Sequence, residues 1–253
     1  MGFPGAYDKT DNGRQISSKL WRDFNPGAIA ADPGRGFLYF EDFHREIGAY
    51  VDGTLAQNGS AGTGLTTTQN ARCIGALTVD AGHTDAGDGP NYTWGGLGFT
   101  PAAGTKFAIE FRLEMDMIAN MDLFFGAGTL ADTAIITATV PAATDVIGLY
   151  VADDGADLNF SAINSGGTIS TATDDLSGGT FVANTQIKIG FLIDGLDGVE
   201  LYANGEMGSS AGFLPSAIPD SIIYPKLEVR SGATAVQPTC TVDWMRVGFL
   251  GQI

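Results

Sequence analysis

Few residues of this sequence have the types and the spacing that chemistry needs. Its two histidines, His44 and His83, belong to no Ser-His-Asp arrangement and to no histidine pair, so neither a catalytic triad nor a zinc site is indicated. Two Asp-rich stretches, 80–88 and 153–157, offer the oxygen ligands that Ca²⁺ takes, but neither follows the order of an EF-hand loop. Because Asp also favours turns, we expect turns at both stretches, and no metal or other cofactor.

Two further pairs of residues are candidates for binding or catalysis. Tyr92 and Trp94 carry rings of the kind on which sugars stack, and a position in the core or at an interface is the alternative. Glu114 and Asp116 are two residues apart, so a strand would place both carboxylates on one face. The simpler interpretation of this carboxylate pair is the solvent-facing end of a strand.

The charge of the chain is strongly acidic, with 29 Asp and Glu residues against 13 Lys and Arg residues. Phosphate backbones repel an acidic domain, so we expect no nucleic acid partner. No stretch approaches the roughly 20 apolar residues of a membrane-spanning helix, and the N-terminus lacks the features of a secretory signal. We therefore expect no membrane partner and a location in the cytoplasm of the producing cell. Cys73 and Cys240 are expected to be free thiols, with one long-range disulfide as the alternative.

Alternation of apolar and polar residues predicts β-strands along most of the chain. The pattern is cleanest at Phe107–Met115, and Ile187–Ile193 and Val199–Ala203 flank a turn that holds two Asp-Gly pairs. The other predicted strands are Phe37–Phe43, Ile74–Val79, Tyr92–Phe99, Met121–Gly126, Val146–Val151, Leu158–Ile163, Leu227–Arg230 and Thr241–Phe249. Ten or more short strands without a sustained helical period predict an all-β sandwich.

Three sections have no clear pattern. Residues 53–70 are predicted to be loop or weakly patterned edge strands, and residues 165–184 are predicted to be loop. In residues 130–144, Asp132 suits the N-cap of a short helix that Pro141 would end.

Residues 1–36 are predicted to form an extended N-terminal arm, and residues 37–253 the β-sandwich. Pro and Gly interrupt the arm throughout, yet it is too apolar for a plain disordered tail. The arm therefore has anchors that bury either on its own sandwich or on a neighbouring molecule.

Two stretches near the end of the chain carry a family resemblance. The segments IKIGFLIDGLDGVELYANGE (187–206) and TVDWMRVGF (241–249) resemble the closing strands of the concanavalin A-like jelly roll, and YFEDF (39–43) resembles its first strand. That group includes legume-type lectins, laminin-G-like modules and laminarinase-type glycoside hydrolases. The resemblance covers residues 37–251 and implies a two-sheet antiparallel jelly roll in which the last strand pairs near the first.

The resemblance also allows a test for catalysis. Retaining hydrolases of this fold carry Glu-x-Asp-x-x-Glu on one strand, and Glu114 and Asp116 match its first two carboxylates. Ala119 stands at the third position, so the proton donor to the leaving oxygen is missing. We therefore expect no enzyme activity. A lectin-like carbohydrate-binding module is the alternative function, and a laminarinase-type hydrolase is a less favoured one.

An acidic, non-catalytic sandwich with an apolar arm resembles the head decoration (cement) proteins of tailed bacteriophages. This resemblance implies a non-enzymatic virion protein that is assembled in the host cytoplasm and stabilises the outer surface of the capsid. Its implied partners are the major capsid protein and copies of itself in a homo-oligomer such as a trimer, with a glycan as a further partner. The arm residues expected to bind the partner are Arg14, Ile16, Lys19, Leu20, Trp21, Arg22 and Phe24.

Overall fold

Two antiparallel sheets make up the fold of this protein. The structure is a computed structural model that describes residues 19–43, 53–58, 64–70, 73–80, 89–131, 134–136, 141–151, 157–165, 168–173, 180–196, 198–208, 215–232 and 238–251. Within these ranges the structure has fifteen strands, one short α-helix (α1, Pro26–Ala31) and two 3-10 helices (Pro33–Arg35 and Pro215–Ala217). Asn25 caps α1, because its side chain accepts hydrogen bonds from the amides of Gly27 and Ala28.

The larger sheet has eight strands. These are β1 (Gly36–Glu41), β3 (Gly64–Asn70), β4 (Cys73–Asp80), β6 (Lys106–Met115), β11 (Ile187–Asp194), β12 (Gly198–Ala203), β13 (Glu206–Met207) and β15 (Thr239–Leu250). Their order is β13-β12-β11-β6-β15-β4-β3, and β1 also pairs with β15. The last strand therefore pairs with the first, as the jelly-roll resemblance implies.

The smaller sheet has seven strands. These are β2 (Gly53–Asn58), β5 (Gly89–Trp94), β7 (Met121–Gly128), β8 (Val146–Val151), β9 (Asn159–Asn164), β10 (Thr168–Thr173) and β14 (Tyr224–Ser231). Their order is β10-β9-β8-β7-β14-β5-β2, which places β14 and β7 near the middle.

The main hydrophobic core lies between the two sheets. It is built from the alternate residues of the strands, for example Phe107 and Phe111 of β6 and Leu227 of β14, which are fully or almost fully buried. Trp94 belongs to this core, where its ring packs edge-on against Tyr92 at 4.5 Å between centroids. Tyr92 and Trp94 are therefore core residues and form no sugar-stacking surface.

Local turn chemistry explains why consecutive strands meet. β11 and β12 form the predicted hairpin around residues 194–198, and β12 and β13 are joined at Asn204-Gly205. Asn204 and Gly205 have φ angles of 50° and 89°, and two successive left-handed residues are what a tight hairpin turn requires.

The strands predicted from periodicity are confirmed, with shifts of a few residues at their ends. Residues 53–58 and 64–70 form edge strands of the two sheets, one of the two alternatives for that section. The prediction of loop for residues 165–184 is wrong at β10, whose polar β-branched residues pair with β9. The helix alternative for residues 130–144 is not what the described residues adopt, since Ile136 and Pro141 form an antiparallel bridge.

Several predictions fall on other parts of the chain. His44, His83 and residues 81–88 and 152–156 lie outside the described residues. Cys240 is a buried free thiol whose pKa is raised, chiefly by burial. In the part of the chain that the structure describes, no helix is long and apolar enough to cross a membrane. The division into an arm and a sandwich stays a prediction.

Candidate functional site

The outer face of the seven-stranded sheet, turned away from the main core, carries a group of polar side chains. On β14, Leu227 and Val229 enter the core, so the residues that alternate with them lie on the outer face. The same alternation on β5 and β7 adds residues to this face. We call the group the polar cluster; its members are Asn91, Thr93, Asp122, Lys226, Glu228 and Arg230, and all six are buried.

Strand register brings the polar cluster together. Glu228 on β14 lies opposite Asn91 on β5, and Lys226 lies opposite Thr93. On the other side of β14, Arg230 lies opposite Asp122 of β7. Side chains that are opposite or diagonal on one face of a sheet are within reach of one another. Two acidic and two basic residues, all buried, therefore share a small area of the sheet.

Glu228 is the centre of the polar cluster and is 0% exposed. Its Oε2 accepts hydrogen bonds from Asn91 Nδ2 at 3.0 Å and from the amide of Ile135 at 2.8 Å. Its Oε1 accepts one from the amide of Ile136 at 2.9 Å, and Arg230 Nη1 lies 3.8 Å from the same oxygen. Burial raises the pKa of Glu228, although these donors and Arg230 act in the opposite direction.

A chain of hydrogen bonds connects the basic and acidic sides of the polar cluster. Lys226 Nζ donates to Thr93 Oγ1 at 2.9 Å, and Thr93 Oγ1 lies 3.4 Å from Asn91 Oδ1. The other end of the Asn91 amide donates to Glu228. Such linked polar groups polarise one another in a medium of low dielectric constant, so the loss of one member affects the rest.

A segment between β7 and β8 covers part of this face. Its described residues, 134–136 and 141–145, are called here the covering segment. Ile135 and Ile136 are fully buried, and they form an apolar cluster with residues of the sheet beneath them. The other members of that cluster are Phe124, Ala143, Val146, Tyr150 and Ile163. The carboxylate of Asp145 holds the end of the segment, since it accepts from Ser165 N at 2.6 Å and from Ser221 Oγ at 2.9 Å.

The Phe124 ring lies over two opposed glycines of the same face. Gly126 and Gly148 are register partners, and a Cβ atom at either position would come within 2.8 Å of Phe124 Cζ. Phe124 is also the register partner of both Glu228 and Tyr150. A carboxylate and two aromatic side chains are therefore next to each other along one row of the sheet.

Ser161 adds an unsatisfied polar group to this face. It lies on β9 opposite Gly148, and it alternates with the core residues Phe160 and Ala162. Its Oγ is buried and has no hydrogen-bond partner. A buried hydroxyl without a partner costs free energy, so this face has at least one group that a polar ligand would satisfy.

The arm residues predicted to bind a partner lie elsewhere. Arg14 and Ile16 are outside the described residues. Leu20, Trp21 and Phe24 are buried on the outer face of the eight-stranded sheet. The sheet residues of this second apolar cluster are Ala108, Leu192 and Tyr202.

Polar contacts also attach the arm to its own sandwich. Trp21 Nε1 donates to the buried Glu110 Oε2 at 2.7 Å, and the Arg246 guanidinium lies 4.5 Å from the centre of the Trp21 ring. At the surface, Lys19 pairs with Glu206 and Arg22 with Glu200, each at 3.1 Å. The described anchors thus contact their own sheet, and their role in binding a partner stays a prediction.

The two carboxylates that match part of the hydrolase motif, Glu114 and Asp116, lie at the end of β6 in the eight-stranded sheet. Glu114 is half-buried near the end of β6, and Asp116 is exposed just beyond it. Asp116 Oδ1 accepts from the amide of Thr239 at 2.8 Å, so this carboxylate fixes the start of β15. Both residues are remote from the polar cluster, which belongs to the other sheet.

Sequence reasoning missed the polar cluster. The alternation Lys226, Glu228, Arg230 is typical of a strand with one face in solvent, yet all three side chains are buried. Lys and Glu at alternate positions of one strand, with Asn91 and Thr93 on another, were the available signal. Among the described residues, no group of three or more His, Cys, Asp or Glu side chains is placed to hold a metal ion.

Solved structures of very different sequence share this fold. A mixed-linkage glucan hydrolase of glycoside hydrolase family 16 from Bacteroides ovatus has a TM-score of 0.58 and 8% identity over 83% of this chain and 99% of its own. An endo-β-1,3-glucanase from Pyrococcus furiosus has a TM-score of 0.54 and 13% identity over 88% and 97%. Peanut lectin has a TM-score of 0.55 and 11% identity over 85% and 97%. No family model matches the sequence, and no match was found among curated proteins.

These likenesses confirm the predicted concanavalin A-like jelly roll and correct the predicted function. The similar structures are glucanases and a lectin, and they give no support to a bacteriophage decoration protein. The prediction of a viral capsid decoration protein is therefore wrong, and the likeness to endo-glucanases also contradicts the prediction of no enzyme activity. At 8–13% identity these likenesses show the fold alone. The partners and the location predicted from the sequence are not tested. They include the major capsid protein, a glycan and copies of the chain itself, as well as the absence of nucleic acid and membrane partners.

Proposed function

We propose that this protein binds a polysaccharide on the outer face of its seven-stranded sheet, at the polar cluster. The observation that carries the proposal is a connected set of carboxylate, amide, hydroxyl and cationic groups around Glu228. Sugar hydroxyls both donate and accept hydrogen bonds, so they are matched by a site that offers both. The likeness of the fold to glucanases and a lectin supports a carbohydrate ligand, and fold alone does not decide it.

The aromatic side chains beside the polar cluster fit the same ligand. Phe124 and Tyr150 follow Glu228 along one row of the sheet. Carbohydrate sites combine such rings, which take the apolar face of a sugar, with a few polar groups that fix its orientation. Binding at this face requires the covering segment to move, because Phe124, Tyr150 and Glu228 are all buried beneath it or beside it.

The proposal is tested by measuring binding to a panel of β-glucans and galactans, with titration calorimetry on soluble fragments. Glu228→Gln replaces one acceptor oxygen of the cluster by a donor, and Thr93→Val removes the hydroxyl between Lys226 and Asn91. We expect each substitution to lower affinity, Glu228→Gln by about tenfold or more, because it disrupts a charge-assisted hydrogen bond.

Glu114→Gln is the matched control, since it makes the same change on the other sheet and should leave affinity unchanged. Circular dichroism checks that each variant folds. If Glu228→Gln does not fold, the isosteric Thr93→Val variant still tests the site. Binding that survives both cluster substitutions would contradict this site. A panel without any bound glycan would contradict the function.

Hydrolysis is a second candidate, favoured by the position of Asp122. Asp122 lies opposite Arg230 and is therefore diagonal to Glu228 on the same face. The backbones of diagonal neighbours are about 7–8 Å apart, so their side chains can reach the separation of the two carboxyl groups in inverting glycosidases, roughly 6.5–9.5 Å. The raised pKa of Glu228 suits the acid of such a pair.

Release of reducing ends from the glucan that binds best tests this second candidate. If the pair is catalytic, Asp122→Asn and Glu228→Gln each abolish release while Glu114→Gln does not. Binding without release would leave the protein as a lectin-like binder.

A further inference from the structure

The covering segment donates two backbone hydrogen bonds to the carboxylate of Glu228. Two consecutive amides, those of Ile135 and Ile136, each donate to a different oxygen of the same carboxylate, at 2.8 and 2.9 Å. Both donors come from the backbone, and the side chains of the same two residues enter the apolar cluster. The segment therefore presents a pair of adjacent N–H donors above an apolar patch.

A sugar with two neighbouring free hydroxyls presents the same pattern. Two adjacent O–H groups can donate side by side to the two oxygens of a carboxylate, and the C–H face of the ring supplies the apolar contact. Asn91 would remain as the third donor to Glu228, because it belongs to the sheet and not to the covering segment.

We infer that Ile135 and Ile136 occupy the place of a vicinal diol of the glycan, so that the covering segment and the ligand compete for Glu228. This inference rests on the proposed function and names its substrate class. When the segment leaves, Glu228 loses two donors and the rings of Phe124 and Tyr150 lose their cover. A diol-bearing sugar restores both kinds of contact, whereas a buried carboxylate without donors is unfavourable. Ser161 Oγ offers a further hydrogen bond on the same face.

The affinity of the protein for a glucan should therefore depend on the linkage between its glucose units. A 1,4-linked glucose unit keeps its 2- and 3-hydroxyls as a free adjacent pair. A 1,3-linked unit inside a chain does not, since its O3 forms the linkage. The protein should therefore bind a mixed 1,3/1,4-β-glucan, or a 1,4-linked oligomer, more tightly than a long 1,3-β-glucan.

Competition with the covering segment predicts that a weaker cover gives tighter binding. Ile135→Ala keeps the backbone but removes apolar contacts of the segment, so the open form becomes more populated. We expect the affinity for mixed-linkage glucan to rise by about tenfold. Ile223→Ala is the matched control: Ile223 is an equally buried isoleucine of the main core, and its truncation should leave affinity unchanged.

The experiment uses the full chain, calorimetry with both polymers, and hydrogen exchange of the Ile135 and Ile136 amides. Three results would support the inference. The protein binds the mixed-linkage glucan more tightly than the 1,3-β-glucan, and Ile135→Ala raises that affinity while Ile223→Ala does not. Both amides exchange faster in the complex than in the free protein. Equal affinity for the two glucans, or amides that stay protected in the complex, would overturn the inference and leave the proposed function intact. If neither glucan nor any other glycan binds, the proposed function falls and the inference with it.

Discussion

On each outer face of the sandwich a buried glutamate accepts hydrogen bonds, but the donors differ between the two faces. Each has a fully buried glutamate on a central strand, Glu110 on β6 and Glu228 on β14, and the carboxylate of each accepts hydrogen bonds from a segment outside the two sheets. Glu110 accepts from the indole of Trp21, a side chain, whereas Glu228 accepts from two backbone amides of the covering segment. The hydrogen bond from Trp21 to Glu110 therefore depends on the residue type at position 21, whereas the two hydrogen bonds from the covering segment to Glu228 depend on backbone conformation.

This difference decides which cover a single substitution can remove. The arm is held by an aromatic side chain that packs, stacks under Arg246 and donates a hydrogen bond, so its loss has several costs at once. Any substitution other than proline keeps the two backbone amides of the covering segment, so such a substitution weakens only the apolar contacts.

The largest effect is expected from Trp21→Ala. The change removes a large buried side chain and leaves Glu110 without its indole donor, so the free energy of unfolding should fall by about 3–5 kcal/mol. Urea denaturation followed by circular dichroism measures the loss. Val182→Ala, at an exposed apolar position, is the control and should change little. A loss near that of the control would mean that the arm does not stabilise the sandwich.

A smaller loss is expected from Gly248→Ala. A Cβ there would come within 2.6 Å of Phe24 and 2.9 Å of Trp21, so the arm must shift, at a cost of about 1–3 kcal/mol. At Gly198, also in a strand, a Cβ would meet nothing within 4 Å, so Gly198→Ala is the control. Tryptophan fluorescence should change only in Gly248→Ala. Equal stability of the two variants would contradict tight packing of the arm on β15.

Glu228, the buried glutamate of the seven-stranded sheet, should make the free energy of unfolding depend on pH. Because the pKa of Glu228 is raised on folding, the folded state holds its proton more tightly than the unfolded state. Its contribution is fully present below the ordinary pKa of 4.5 and is lost as the pH rises through the higher folded value. Glu228→Gln removes this titration, so the variant should gain stability relative to the natural protein as pH rises. Urea unfolding from pH 4 upwards measures it, and parallel curves would contradict the raised pKa.

The smallest effect is expected from Lys19→Ala. Lys19 pairs with Glu206, but both side chains are more than half exposed. Such surface pairs contribute little, so the free energy of unfolding should change by less than about 0.5 kcal/mol. A much larger loss would show that charge, and not the apolar anchors, holds the arm on the sheet.

Periodicity predicted the strands because burial of one face leaves a local pattern. β6 alternates over its whole length, and the two Asp-Gly pairs mark the β11–β12 turn, so both were accessible from sequence. β10, Thr168–Thr173, was missed because five of its six residues are Thr, Ser or Ala and give no apolar face. The resemblance to known strands supplied the topology that periodicity alone does not contain.

The candidate site was inaccessible for a different reason. Glu228 accepts hydrogen bonds from Asn91, which is far away in the sequence, and from the backbone amides of Ile135 and Ile136. Backbone amides are present in almost every residue, so the sequence does not indicate which of them will donate. Trp21 was likewise predicted as an anchor, but the residues next to it in the sequence do not indicate that Glu110 and Arg246 are its partners. The functional expectation failed because acidity and a missing catalytic motif do not identify a partner.

The position of β15 has a consequence for how this protein is made. Its three partners, β1, β4 and β6, all precede it in the chain, and it pairs with β6 on one side and with β4 and β1 on the other. While the ribosome is still translating the segment before Thr239, these strands have emerged with open edges that another nascent chain can pair with. The larger sheet is complete only after synthesis reaches Leu250, so we expect slow folding that benefits from chaperones.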